Sequence, residues 1–142
     1  MRIKLAPGLT IAPSPIHGRG CFATVRFRKR TKIAEYAGKK ITNAEAERRG
    51  ARRRVLRISG LDEAYSIDGG IGGNGTHYIN HSCSPSAYMQ TVRGHLLVLA
   101  LRDIAPGEEI TVDYVATMHS DRKRCTCKAP NCRGTINKLA RR

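Results

Sequence analysis

The chain has 142 residues and a formal charge of +15, with a pI near 10.3 and 40% hydrophobic residues. That length suits one domain able to bury its own core, and the apolar content excludes a disordered chain. No apolar run approaches the ~20 residues of a membrane-spanning helix, and the opening Met1-Arg2-Ile3-Lys4-Leu5-Ala6-Pro7-Gly8 lacks a signal-peptide apolar block. Lys and Arg cluster at residues 26–32, 48–57, 122–124 and 138–142. This balance favours polyanions: nucleic acid, or a partner already bound to it. Two Phe, no Trp and scattered Tyr make a poor stacking platform for single strands.

In chain order, residues 9–12 are expected to be extended, and Pro13-Ser14-Pro15 breaks them. His17-Gly18-Arg19-Gly20 forms a tight loop whose glycines admit close approach of a ligand. It leads into a strand over residues 21–24. It is not a dinucleotide fingerprint, because the third glycine and the following helix are missing. Residues 32–37 read as a strand closed by Gly38. Thr42-Asn43-Ala44-Glu45 has capping-box spacing and opens a short helix that Gly50 can end, within an insert of about residues 42–60. Residues 64–68 alternate like a strand. Residues 69–75 contain five glycines and are expected to form a flexible approach to Tyr78-Ile79-Asn80-His81-Ser82-Cys83. That stretch packs an amide, an imidazole, a hydroxyl and a thiol together, and each such group costs about 1–3 kcal/mol if buried without a partner.

Residues 88–92 and 95–101 look like paired strands joined by the two-residue hairpin Arg93-Gly94. Residues 96–101 are apolar throughout, which predicts a strand covered on both faces. Ala105-Pro106-Gly107 is a turn and residues 109–114 are a further strand. Many short strands with one short helix predict a mainly β fold.

Five Cys without a secretion signal predict reduced thiols or metal ligation, in cytoplasm or nucleus, rather than a disulfide framework. Cys125, Cys127 and Cys132 are close in sequence and suit a tetrahedral thiolate site for structural zinc, with sulfur about 2.3 Å from the metal. A closed site needs a fourth ligand. Cys21, Cys83 and His119 are the candidates, and local spacing does not choose among them.

Four segments, in this order, resemble the SET-domain family of protein lysine methyltransferases. They are His17-Gly18-Arg19-Gly20-Cys21-Phe22-Ala23; Glu35-Tyr36-Ala37-Gly38; Gly73-Asn74 through Tyr78-Ile79-Asn80-His81-Ser82-Cys83-Ser84-Pro85; and Arg102-Asp103-Ile104-Ala105-Pro106-Gly107-Glu108-Glu109-Ile110-Thr111-Val112-Asp113-Tyr114. The tail from Cys125 to Gly134 is similar to the family's post-SET zinc motif. The resemblance implies a SET domain over residues 1–118 and a zinc-binding, basic tail over 119–142. It implies a pseudoknot in which the third segment threads beneath a loop formed by the fourth. S-adenosylmethionine would lie on one face and the target lysine on the other. Backbone around Gly18, Arg19 and Gly20 would hold the cofactor's amino-acid end, with Tyr78, Asn80 and His81 also contacting it. Tyr114 would stand at the methyl-transfer centre, with Tyr36 and Tyr65 as channel walls. Cys83 would complete the zinc site with Cys125, Cys127 and Cys132. Val112 occupies a place where Phe or Tyr in the family influences how many methyls are added; a small side chain there permits di- or trimethylation.

The family chemistry is a direct displacement that needs a neutral amine. Lysine, with an ordinary pKa of about 10.4, costs roughly 4–5 kcal/mol to neutralise at pH 7. An approaching sulfonium and an apolar channel both lower that pKa. The implied substrate is a lysine in a protein, such as a histone or another DNA-associated protein. Histone tails are cationic like this chain, and a DNA-carried substrate resolves the repulsion. The competing reading is a non-catalytic, zinc-stabilised basic module that binds nucleic acid or chromatin.

Overall fold

The computed structural model describes residues 4–52, 57–113, 127 and 129–132. Three small sheets surround one core. Strands β1 (Leu9–Pro13) and β2 (Arg19–Ala23) form an antiparallel pair, with Leu9 opposite Ala23 and Pro13 opposite Arg19. The turn between them is closed by the Ser14 N–H donating to the Gly18 carbonyl at 2.8 Å. Strands β3 (Lys32–Glu35) and β4 (Lys39–Thr42) follow, then helix α1 (Asn43–Arg52). The expected cap is present in half: the Glu45 N–H donates to Thr42 Oγ1 at 3.2 Å. The Glu45 carboxylate pairs with Arg48 and Arg49 instead of turning back to Thr42. Gly50 does not end the helix, which continues to Arg52.

Strands β5 (Ile58–Gly60) and β6 (Tyr65–Asp68) complete a sheet in the order β4-β6-β5. A single 3-10 turn, Thr76–Tyr78, leads into the two-residue strand β7 (Asn80–His81). Strands β8 (Ala87–Val92) and β9 (His95–Ala100) form the expected hairpin. Arg93 and Gly94 both take positive φ, 50° and 80°, the conformation that matches strand twist in a two-residue turn. The second sheet runs β3-β9-β8. β9 was expected to be covered on both faces; instead Leu96, Val98 and Ala100 are buried while Leu97 and Leu99 are half-buried, so its outer face is only partly shielded.

Strand β10 (Glu109–Val112) closes the molecule. It pairs antiparallel with β2, Glu109 opposite Phe22, and parallel with β7, Thr111 opposite Asn80 and Val112 opposite His81. The four-stranded order is β1-β2-β10-β7. One buried cluster takes Leu9, Cys21 and Ala23 from this sheet, Leu96 and Val98 from the second and Ile67 from the third, with Ile104 and Ile110 fully buried.

Within the glycine-rich residues 69–75, Gly69 and Gly73 are closely packed, whereas residues 70–72 are exposed. A Cβ on Gly69 would stand 2.6 Å from His77 Cβ, and one on Gly73 would stand 2.3 Å from the Gly69 carbonyl oxygen. Glycine serves close approach here. Among the described residues no helix is long and apolar enough to cross a membrane.

Candidate active site

The parallel pairing of β7 with β10 sets Asn80 and His81 beside the loop that opens β2. The Asn80 amide nitrogen donates to the His17 carbonyl at 3.1 Å, the Arg19 carbonyl at 3.2 Å and Glu109 Oε2 at 3.0 Å. All three neighbours are acceptors, which fixes the amide orientation and turns its oxygen the other way. The Glu109 carboxylate also accepts from the Ser14 hydroxyl, whose oxygen lies 2.8 and 2.9 Å from its two oxygens. It lies against Gly20, where a Cβ would come within 2.4 Å of Oε2. A methyl at position 20 would therefore displace the carboxylate from this place. Gly18 has φ 47° and nothing within 4 Å of a built Cβ, so the loop's tip is open on one side. Arg19 is exposed.

His81 is buried at 4% exposure. Its Nε2 lies 3.4 Å from Cys83 Sγ and its Nδ1 3.6 Å from Asp113 Oδ1. Beyond β7, the Ser82 N–H donates to the Val112 carbonyl at 3.0 Å. Ser86 and Thr111 lock the connection from inside. The Ser86 N–H donates to Thr111 Oγ1 at 3.1 Å, and the Thr111 N–H donates to Ser86 Oγ at 3.0 Å. Val112 is buried at 3% exposure.

Tyr36 is buried, and its hydroxyl donates to the Arg57 carbonyl at 2.7 Å. Tyr65, at the start of β6, is 39% exposed with the Lys40 ammonium 4.3 Å from its ring centroid. Tyr78 is half-buried, with the Arg57 guanidinium 4.8 Å from its ring. His77 is buried, and among the described residues its Nδ1 has no hydrogen-bond partner. Burial and the neighbouring Arg57 charge hold its pKa below the usual histidine value, against an opposing pull from Asp68. Asn74 ties three segments together. Its amide donates to the Glu35 carbonyl at 2.9 Å, its side-chain oxygen accepts from Thr76 Oγ1, and its own carbonyl accepts from the Ala6 N–H. Tyr114 lies outside the described residues.

The sulfurs of Cys83, Cys127 and Cys132 lie within 4.8 Å of one another, and none forms a disulfide. Tetrahedral thiolates around zinc stand about 3.8 Å apart, from a metal–sulfur length of about 2.3 Å, so the three fit that group. The Cys83 N–H approaches Cys127 Sγ at 3.5 Å and Asn131 Nδ2 donates to the Cys83 carbonyl at 2.9 Å. Of the candidates left open by spacing, Cys83 joins this cluster. Cys21 does not: it is fully buried in β2, and burial, then Glu109, pushes its thiol up to about 12. Cys125 and His119 lie outside the described residues.

The SET domain family model matches residues 18–115. The chain belongs to the SET-domain family. It is 32% identical over 132 residues to histone-lysine N-methyltransferase trithorax of Drosophila virilis, covering 87% of this chain and 3% of that protein. It is 35% identical over 142 aligned positions to a histone-lysine N-methyltransferase of Arabidopsis thaliana, covering 91% and 13%. It is 34% identical over 140 to the H3 lysine-4 specific histone-lysine N-methyltransferase of Schizosaccharomyces pombe, covering 91% and 15%. This SET-domain chain therefore spans 15% or less of the length of these curated relatives. Glu109, Ser14 and Asn74 shape the site, although the sequence assigned none of them a role in it. An acidic residue directly before the buried Ile110 was the one available signal for Glu109.

Proposed function

We propose that this SET-domain chain transfers a methyl group from S-adenosylmethionine to the side-chain amine of lysine in a protein. The observation that carries the reading is the parallel β7–β10 pair, which seats the Asn80 amide against the His17 and Arg19 carbonyls. The open side of Gly18 and the Asn80 amide oxygen, turned away from the three acceptors of its nitrogen, fit a ligand carrying an amino-acid group. When bound, S-adenosylmethionine supplies an electrophilic methyl on a sulfonium. Backbone of Gly18, Arg19 and Gly20 holds its amino-acid end, while Asn80, His81 and Tyr78 hold the rest. Tyr114 orients the lysine amine, and the proton leaves to water. Tyr36 and Tyr65 wall the lysine channel. The apolar channel keeps the amine neutral by disfavouring its charged form. Val112 leaves room for more than one methyl. Cys83, Cys125, Cys127 and Cys132 hold structural zinc, which fastens the tail to β7.

The substrate class follows from the relatives named above and from the charge of +15: a histone or another DNA-associated protein. The test is transfer of labelled methyl to histones, nucleosomes and bacterial nucleoid proteins, with Tyr114→Phe alongside. The expected result is label on one protein that falls at least 100-fold in the variant, as for loss of one preorganised hydrogen-bonding group. The charge also favours a second reading, a zinc-stabilised basic module without catalysis. Calorimetric titration with S-adenosylmethionine separates them. Absence of cofactor binding by folded, zinc-loaded protein would overturn the methyltransferase reading.

A further inference from the structure

We propose that the turn joining β2 to β3, with its flanking Lys32, is a docking face for the phosphate backbone of duplex DNA. It stands apart from the loop that opens β2. Arg26, Arg28, Lys29, Arg30 and Lys32 are all exposed. One carboxylate reaches into this group: Asp103, 3.3 Å from Arg26. Among the described residues, the side chains of Arg28, Lys29, Arg30 and Lys32 form no ion pair.

The turn is held in one shape. Phe27 and Ile104 exchange backbone hydrogen bonds at 2.9 and 2.8 Å. The Lys29 N–H donates to Asp103 Oδ1 at 2.8 Å, the Arg30 N–H to the Ala100 carbonyl at 2.7 Å, and the Ala100 N–H to the Thr31 carbonyl at 2.9 Å. Arg30 takes φ 70°, a left-handed conformation that non-glycine residues rarely adopt. A solvated basic run needs no such fixing. Five cations within seven residues raise the local positive potential, and a polyanion bound there releases its own counterions.

The chemistry of the face selects among polyanions. Phe27 is half-buried against Gly8, where a Cβ would touch its ring at 3.0 Å, so it is no platform for an unstacked base. Val25 is the one exposed large apolar side chain of the turn, at 46% exposure, too little for the apolar centre of a protein interface. What remains is a row of cations suited to phosphates without sequence readout. The turn leaves the far end of β2 from Gly20, a run of roughly 10–15 Å along the strand.

The test uses the full chain, zinc-loaded, and a fluorescently labelled 20-base-pair duplex, read by anisotropy from 50 to 200 mM KCl. The variant combines Arg28→Gln, Lys29→Gln, Arg30→Gly and Lys32→Gln; glycine suits the left-handed position. Each phosphate contact contributes about 0.9 to the slope of log affinity against log salt. Removing four lowers the slope by about 3.6, so parent affinity falls ~150-fold more than the variant's across that range. Lys32→Gln alone, which leaves the turn's hydrogen bonds intact, lowers the slope by about 0.9. An unchanged slope in both variants overturns the proposal. So does tight binding to polyglutamate with none to duplex, which assigns the face to an acidic protein. The readout does not pass through methyl transfer, so failure here and failure of the methyltransferase reading are separately visible.

Discussion

Gly20→Ala tests the central feature of the site. Gly20 lies in β2 without positive φ, so the backbone tolerates alanine and the cost is purely one of space. The added methyl would lie 2.4 Å from Glu109 Oε2 and 3.0 Å from Ser14 Cβ. The carboxylate must leave, and with it go the bonds from Ser14 and Asn80. Hydrogen bonds to a charged group contribute about 1.5–3 kcal/mol each. Partial rehydration of the displaced carboxylate returns some of that, which leaves an expected loss of about 3 kcal/mol. For a chain of this length that lowers the melting temperature by roughly 6–12 °C. The deciding assay is urea unfolding of the single variants and of the Gly20→Ala/Glu109→Ala double variant, at fixed zinc concentration. With Glu109 already truncated, Gly20→Ala should cost about 1 kcal/mol, from the Ser14 contact alone, a coupling of about 2 kcal/mol. Equal cost in both backgrounds would refute the argument that Gly20 exists to seat this carboxylate.

Ser86→Ala removes the acceptor of the buried Thr111 N–H and should cost about 2–3 kcal/mol in the same assay, whereas Ser84→Ala, on an exposed residue, should change little. His77 has its pKa lowered by burial in the folded chain. The unfolded chain therefore binds the extra proton first, and stability from this residue is full above about pH 6.5 and is lost as pH falls below it. The difference in unfolding free energy between parent and His77→Phe should change between pH 7.5 and pH 5; a constant difference would count against the lowered pKa of the buried ring. Cobalt titration should give the intense visible bands of tetrahedral thiolate ligation in the parent and in Cys21→Ser, and lose them in Cys127→Ser. Retention in Cys127→Ser would remove this residue from the metal site.

Strands that carry their own alternation were legible, and so was the Arg93-Gly94 hairpin, because both signals are local. β4 was hidden by Lys39 and Lys40, which face outward and leave Ile41 as its buried residue. β5, three residues long, fell inside the expected helical insert. β7 has no strand signal at all: Asn80 and His81 are extended because β10 lies beside them. The same distance limit applies to the site. Asn80 and His81 stood out as polar residues needing partners, but the partners of Asn80, the His17 and Arg19 carbonyls and Glu109, come from elsewhere in the chain. Sulfur spacing likewise left the fourth metal ligand open, and only folding brings Cys83 to Cys127 and Cys132 while burying Cys21.

The double pairing of β10 has a consequence for synthesis. β2 is made early, yet its second edge is filled only when residues 109–110 arrive. At 5–20 residues per second, the interval of about 90 residues lasts roughly 5–20 s. Throughout it the β2 edge is an unpaired template for other chains, and neither the Asn80 cradle nor the β7 end of the sulfur cluster has its support. A polypeptide stopped short of β10 would thus be an aggregation hazard, and prompt pairing of β10 is a matter of survival for the nascent chain.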